Sequence, residues 1–373
     1  MGKRVVVAMS GGVDSSVAAY LLKEEGYEVV GLFMRMGSPF DLSSAPRQRS
    51  CCSLQDAYDA RRVAEELNIP FYVLDFKKDF EEIIDYFCLE YSRGRTPNPC
   101  ILCNQRLKFG RLLKFAQEIG AERLATGHYA RVEEYMSRYI LKRGLDPRKD
   151  QSYALFSLNQ EQLSHAIFPL GEMKKEEVRH KARELNLKTR DKPESQEVCF
   201  VPEEGYSRLI LERKYKEVRP GLIKDTRGRV LGRHPGIEFF TIGQRRGLGL
   251  AMGIPYYVVD IDPKESIVVV GREEELLERE FTVSGLNWVA LDGLEVELEA
   301  EVKIRYTHKA SPATLCPEGD RVKVVFGEPQ RAVTPGQAAV FYQGDVVLGG
   351  GWIEGKHLLY SEKVELESAI RHG

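Results

Sequence analysis

Short apolar runs alternate with amphipathic stretches through the first half of the chain. Residues 4–9, RVVVAM, are apolar almost without interruption, the pattern of a strand buried on both faces, and they end at Ser10-Gly11-Gly12. The next stretch, VDSSVAAYLLKEEG (13–26), sets valines and alanines on one face at helical spacing and stops at Gly26, so it predicts a helix. A second buried strand is expected at EVVGLFM (28–34), an amphipathic helix at LQDAYDARRVAEELNI (54–69) and a third strand at PFYVLDF (70–76). QRLKFGRLLKFAQEIG (105–120) is again amphipathic and leads into RLATGHYA (123–130). Strands separated by helices of this length need right-handed crossovers, so this half reads as α/β, with a doubly wound and mainly parallel sheet.

After KKEEVRHKARELNL (174–187) the period changes from helical to alternating. From about residue 206 short strands take over, among them YYVVDIDPKESIVVVG and RVKVVFGEPQRAVTPGQAAVFYQGDVVLGGGWI, with no long helical pattern between them. Their DPKES and QGD turns predict hairpins of the kind that close small barrels. The expected organisation is an α/β catalytic domain over 1–205, a small β-rich domain over 206–275 and a C-terminal β-barrel over 276–373. Arg35–Ser53, polar and rich in serine and proline, is too long for a plain connection and reads as a functional loop.

Charge matters here through its placement. Lys+Arg 54 against Asp+Glu 56 leaves a net charge of -2, which by itself points to no polyanion. Yet Ser92–Gln117 holds six basic residues and no acidic one, and Gly205–Leu250 holds eleven against four. Two basic islands in a neutral chain form an electrostatic footprint for nucleic acid; either alone would equally suit a solvated surface. No run of about 18 apolar residues offers a membrane span. An odd set of seven cysteines behind a start that lacks a signal-peptide pattern points to reduced thiols and a cytoplasmic location.

Two motifs carry chemistry. The first, AMSGGVDSS (8–16), lies between a strand and a helix. Gly11 and Gly12 let the backbone turn close to an anion, the helix start supplies N–H donors, Ser10, Ser15 and Ser16 add hydroxyls, and Asp14 could hold a Mg²⁺ bridging phosphates. It lacks the Gly-Lys-Ser/Thr ending of a Walker A loop. The second is the Cys100–Cys103 clip in TPNPCILCNQ. Cys103 precedes a helix rich in Arg106 and Lys108, a setting that favours thiolate.

The Ser-Gly-Gly-Val-Asp-Ser loop resembles the PP-loop of ATP pyrophosphatases. RTPNPCILCNQRLKFG, ATGHYAR, KDQSYALF, ESQEVCF, GIEFFTIGQRRGLG and TPGQAAVFY follow in order, and together resemble the MnmA-type tRNA 2-thiouridylases over nearly the whole chain. The resemblance implies an N-terminal PP-loop domain followed by a small β-rich domain and a barrel. It implies an enzyme that uses ATP and Mg²⁺ to adenylate O2 of the wobble uridine in tRNAs for lysine, glutamate and glutamine. Sulfur would come as a persulfide from a cysteine desulfurase or a sulfur-relay protein. Carried over by motif, Ala8, Met9, Ser10, Gly11, Gly12, Val13, Asp14 and Ser15 would bind ATP, with Met34 and Gly127 on the adenosine. Cys199 would receive the persulfide and Cys103 would release it, a Cys103–Cys199 disulfide closing the cycle. Asn98, Pro99 and position 100 would surround the target base, and His128, Lys149, Asp150, Gln151, Arg305, Tyr306 and Gln337 would contact tRNA.

Cys100 departs from the pattern, since many relatives carry aspartate there. Three cysteines, Cys100, Cys103 and Cys199, could instead ligate a 4Fe–4S cluster with one open iron, so a cluster route and a persulfide route both stand at this point. A structural zinc would lack its fourth ligand. Two further readings remain: a PP-loop ligase or amidotransferase acting on a small metabolite, and a non-catalytic RNA-binding protein. The first leaves the basic islands and the cysteine trio unexplained; the intact loop argues against the second.

Overall fold

The computed structural model describes residues 3–37, 54–193, 198–201, 205–213, 218–250 and 253–355. The expected functional loop over residues 35–53, with Cys51 and Cys52, lies largely outside these residues. Strands β1 (Arg4–Ala8), β2 (Glu28–Arg35) and β3 (Phe71–Asp75) form where the apolar runs predicted them. Helices α1 (Val13–Glu24) and α2 (Leu54–Glu66) make the crossovers. Helix α3 (Lys77–Ser92) was not anticipated; its Phe80, Ile83, Ile84 and Phe87 stripe is the helical period that builds the core under the sheet.

The predicted 105–120 helix starts earlier. Asn98 caps α4 (Pro99–Leu102), with Pro99 at the first helical position, where its missing N–H costs nothing. A π-helical stretch, Cys103–Leu112, follows without a break and passes into α5 (Leu113–Glu118). Strand β4 (Arg123–Ala125) then pairs in parallel with β1.

Next comes a hairpin, β5 (Ala130–Tyr135) and β6 (Arg138–Arg143), that leaves this domain altogether. After the short α6 (Gln160–His165), β7 (Ala166–Ile167) completes a five-stranded parallel sheet of order β3-β2-β1-β4-β7. Helix α7 (Lys175–Glu184) packs on α1.

The second half is β-rich as expected, except that it opens with a helix, α8 (Tyr206–Arg213), whose Leu209 and Ile210 join the core of the first domain. A four-stranded sheet follows from β8 (Gly221–Asp225), β9 (Val230–His234), β10 (Tyr257–Asp262) and β11 (Ile267–Gly271). The last six strands are β12 (Leu277–Trp288), β13 (Leu298–Lys303), β14 (Ser311–Glu318), β15 (Arg321–Arg331), β16 (Ala338–Gln343) and β17 (Val346–Ile353). They pair in the order β12-β15-β14-β13-β16-β17, and β17 pairs back to β12, which closes a barrel without free edges. The β5–β6 hairpin attaches at the start of β17, where Val346 faces Lys142. Catalytic half and barrel therefore share one sheet and one apolar core.

Candidate functional site

The strand order turns around at β1. From it the chain winds to β2 and β3 on one side and to β4 and β7 on the other. The crevice beyond the carboxyl ends of β1 and β4 is thus the switch point, where open α/β sheets bind ligands. Two sequence motifs meet there: Met9–Ser15 after β1 and Thr126–His128 after β4. Gly11 holds φ +72, and a Cβ on it would lie 2.3 Å from the Asp56 carbonyl oxygen. Gly127 approaches the other flank so closely that a Cβ would stand 2.8 Å from Ser15 N. Within the loop, Ser10 N–H donates to Ser15 Oγ at 3.1 Å, and Ser16 Oγ donates to Gly12 O at 2.8 Å. The result is a tight turn delivering a helix N-terminus to the crevice, the geometry of an anion cradle. Ala8 and Met34 pack in the sheet around it, with Met9, and Val13 at the start of α1, buried beside them.

Two lysines that the motifs did not single out complete this loop. Lys175, the first residue of α7 and 7% exposed, sets its ammonium 2.7 and 2.8 Å from the Asp14 carboxylate oxygens. Tyr129 donates its hydroxyl to the same carboxylate at 2.8 Å. Asp14 is therefore neutralised and hydrogen-bonded before any cation arrives. As a Mg²⁺ ligand it does not fit this arrangement, since a metal would have to displace the lysine. Lys192 donates to Gly11 O at 3.0 Å, to Asp56 Oδ1 at 2.5 Å and to Asp59 Oδ2 at 2.7 Å. Burial opposes its charge, but the hydrogen bonds to Asp56 and Asp59 outweigh it and raise the pKa. One sequence signal was available for Lys175: a cation opening a helix opposes the helix dipole and needs an anionic partner.

At the clip, Asn98 Oδ1 accepts from Cys100 N–H at 3.2 Å and fixes the helix start. Cys100 is exposed; Cys103, at the head of the π-helical stretch, is half-buried. Such stretches are rare and concentrate at functional sites. Cys199 is also half-buried, and its neighbour Phe200 makes edge contacts with Phe80 and Phe87, at centroid distances of 5.6 and 5.1 Å. Cys103 and Cys199 pack against the same apolar core. Among the described residues no group of three His, Cys, Asp or Glu side chains is gathered as a metal would require. Cys88 lies elsewhere in that core, its thiol pushed up to about 11 by burial, as a packing residue should be.

Comparison with known proteins assigns most of the chain. Residues 3–203 match the family described as tRNA methyl transferase HUP domain, 210–272 the matching PRC-barrel domain, and 278–353 an aminomethyltransferase beta-barrel domain. Full-length relatives specify the reaction. A tRNA-specific 2-thiouridylase MnmA 2 from Thermoanaerobacter sp. (strain X514) is 52% identical over 95% of this chain and 99% of its own length. The MnmA of Carboxydothermus hydrogenoformans is 53% identical over 94% of this chain and 98% of its own. The chain belongs to the MnmA family of tRNA-specific 2-thiouridylases.

As an MnmA, it is a tRNA-uridine 2-sulfurtransferase. A solved 4-thiouridine synthetase in complex with RNA and ATP is 18% identical over 54% of this chain, with a TM-score of 0.35, a likeness too small to bear on function. No helix among the described residues is long and apolar enough to cross a membrane.

The residues expected on tRNA fall into two groups in this MnmA. His128, Asp150 and Gln151 are tied inward. His128 is 9% exposed, with Nδ1 2.7 Å from Thr126 Oγ1 and Nε2 3.5 Å from Lys108 Nζ. An ammonium can only donate, so Nε2 accepts and Nδ1 carries the proton. Burial, helped by Lys108, holds the imidazole pKa well below 6.5. Asp150 accepts from Gly144 N–H at 3.1 Å and Ser152 N–H at 3.0 Å. Gln151 Oε1 accepts from Tyr129 N–H at 3.0 Å. The second group is more open: Lys149 and Arg305 are half-buried and Tyr306 is 43% exposed, with Lys303 5.5 Å over its ring. Gln337 stands apart from both groups, bonded to the strap that precedes the clip.

Proposed function

We propose that this MnmA adenylates O2 of the wobble uridine with ATP and replaces it by sulfur carried on Cys199. The uridine oxygen attacks the α-phosphorus, pyrophosphate leaves, and the oxygen becomes part of a phosphate ester that can depart with AMP. The loop Ser10–Ser15 receives the phosphates, its N–H donors stabilising the charge that develops on pyrophosphate. Lys175 is near enough, through Asp14, to hold the loop in that shape.

Cys199 arrives at this step as a persulfide, Cys–S–SH. The Cys103 thiolate attacks the Cys199 sulfur, the outer sulfur leaves as hydrosulfide, and a Cys103–Cys199 disulfide remains. Hydrosulfide adds to C2 and expels AMP. A cellular dithiol, or two equivalents of a monothiol, then returns the disulfide to two thiols and is itself oxidised to a disulfide. Substrates are tRNAs for lysine, glutamate and glutamine, and the sulfur donor is a cysteine desulfurase or a relay protein. The supporting observation is the placement of the two thiols: ninety-six residues apart in sequence, Cys103 and Cys199 lie on one apolar core and stay partly exposed.

The test is thiolation of unmodified tRNA by iron-free protein with a persulfide donor. AMP release that needs tRNA, with 2-thiouridine formed by wild type and by Cys100→Asp, is the expected result. Iron-dependent thiolation would remove the persulfide route; AMP release without tRNA would favour the ligase reading.

A further inference from the structure

The strap Arg93–Pro97 joins α3 to the capped helix start that carries the clip, and it is held from three sides. Buried Glu90 accepts from Arg93 Nη1 at 3.2 Å and Arg95 Nε at 2.7 Å, fixing the strap's beginning. Gly94, at φ +69, meets the middle domain: a Cβ there would lie 2.9 Å from Ile261 Cγ2 on β10. The barrel grips the far end. Thr96 N–H donates to Pro335 O at 2.8 Å, and Gln337 Nε2 donates to Thr96 O at 3.0 Å and to Pro97 O at 3.4 Å. Gly336, at φ +87, comes so near that its Cβ would be 3.0 Å from both Thr96 N and Thr96 O. Prolines at 97 and 99 remove N–H donors that a strand would use, so beyond Thr96 N–H the segment is held through its carbonyls. The turn does not need the strap to close the barrel, since Gly336 N–H donates to Ile353 O and Gln337 N–H to Thr334 O within it.

We propose that Gln337 is a positioning residue for sulfur transfer. With Gly336 and Gly94 beside it, it lets the two β-domains set the height of the strap and so of Cys103. The inference rests on the reading of Cys103 as the reacting thiol. It also gives Gln337 a role distinct from the direct tRNA contact that the family resemblance implies. The middle domain and the barrel then both act on the thiol through one five-residue segment.

Gln337→Met keeps the side-chain length and removes the donor. Gly94→Ala, on the strap itself, presses its Cβ against Ile261 of the middle domain, and serves if the first variant does not fold. In both, kcat for thiolation falls about tenfold while KM for tRNA stays within about twofold, the signature of a misplaced reacting group. Cys103 alkylation by iodoacetamide, read by peptide mass spectrometry without tRNA, changes in both. A loss carried by KM, a retained kcat or an unchanged alkylation rate overturns the proposal. Wild-type protein that makes no 2-thiouridine would instead sink the proposed function, leaving the alkylation comparison to judge the strap.

Discussion

Gly127→Ala is the sharpest test of the nucleotide site. An alanine there puts its Cβ 2.8 Å from Ser15 N and 2.9 Å from Asp14 C, whereas ordinary contact begins at 3.4 Å. Gly127 is not in the left-handed region, so contact is the whole perturbation. The obstacles are backbone atoms of the first turn of α1, which cannot rotate aside as a side chain would. The loop must therefore retreat by roughly 0.6 Å, the difference between 3.4 and 2.8 Å. Overpacking of this kind costs about 1–3 kcal/mol, which is about 2–4 °C of Tm per kcal/mol for a unit of this size. Displacement of the donors aimed at phosphate should lower kcat/KM for ATP by about 10- to 100-fold. The assay is tRNA-dependent AMP release at varied ATP, beside a thermal melt. A variant whose melt and ATP dependence both match wild type would show that this crevice does not hold the nucleotide.

Three further outcomes are expected. Cys199→Ala and Cys103→Ala lose thiolation but keep tRNA-dependent pyrophosphate release, measured by nucleoside mass spectrometry and pyrophosphate assay; thiolation by either refutes its assigned role. Lys175→Met leaves Asp14 without its cation and costs about 1–3 kcal/mol in a urea midpoint, less than a fully buried pair because Asp14 is partly exposed. Adding Asp14→Asn should recover much of that loss, and no recovery would deny the coupling. His128 is held neutral by burial and by Lys108, so below pH 6.5 the unfolded chain binds a proton the folded one refuses. Its contribution is present above that pH and lost as pH falls, at up to about 1.4 kcal/mol per pH unit; His128→Gln should flatten that acid limb in Tm measured against pH.

The parallel sheet was legible because β1 and β2 are nearly unbroken apolar runs, as strands covered on both faces must be. The tight turn after β1 was legible because only glycine tolerates the approach seen at Gly11. Helix α3 opens without a side-chain cap to mark its start, although its 80-83-84-87 stripe follows the helical period. The short α8 fell within a stretch read as continuous strands, and eight residues give periodicity little to work with. The clasp at Lys192 and the grip of Gln337 could not be read from local pattern at all. Both join segments more than a hundred residues apart, and nothing in the sequence near Lys192 names Gly11 as its partner.

The apolar core shared between the two halves has a consequence for synthesis. Leu141, Tyr153 and Phe156 bury against Val340, Tyr342 and Val347, so the first group must wait for about 200 more residues to be made. At ribosomal speeds that is about 10–40 s. During that interval the nascent catalytic domain shows an unpaired hairpin and an uncovered aromatic face, features that attract chaperones and misassembly. The last two strands are thus a completion signal, and a chain truncated before β16 would be left with its first domain permanently unfinished.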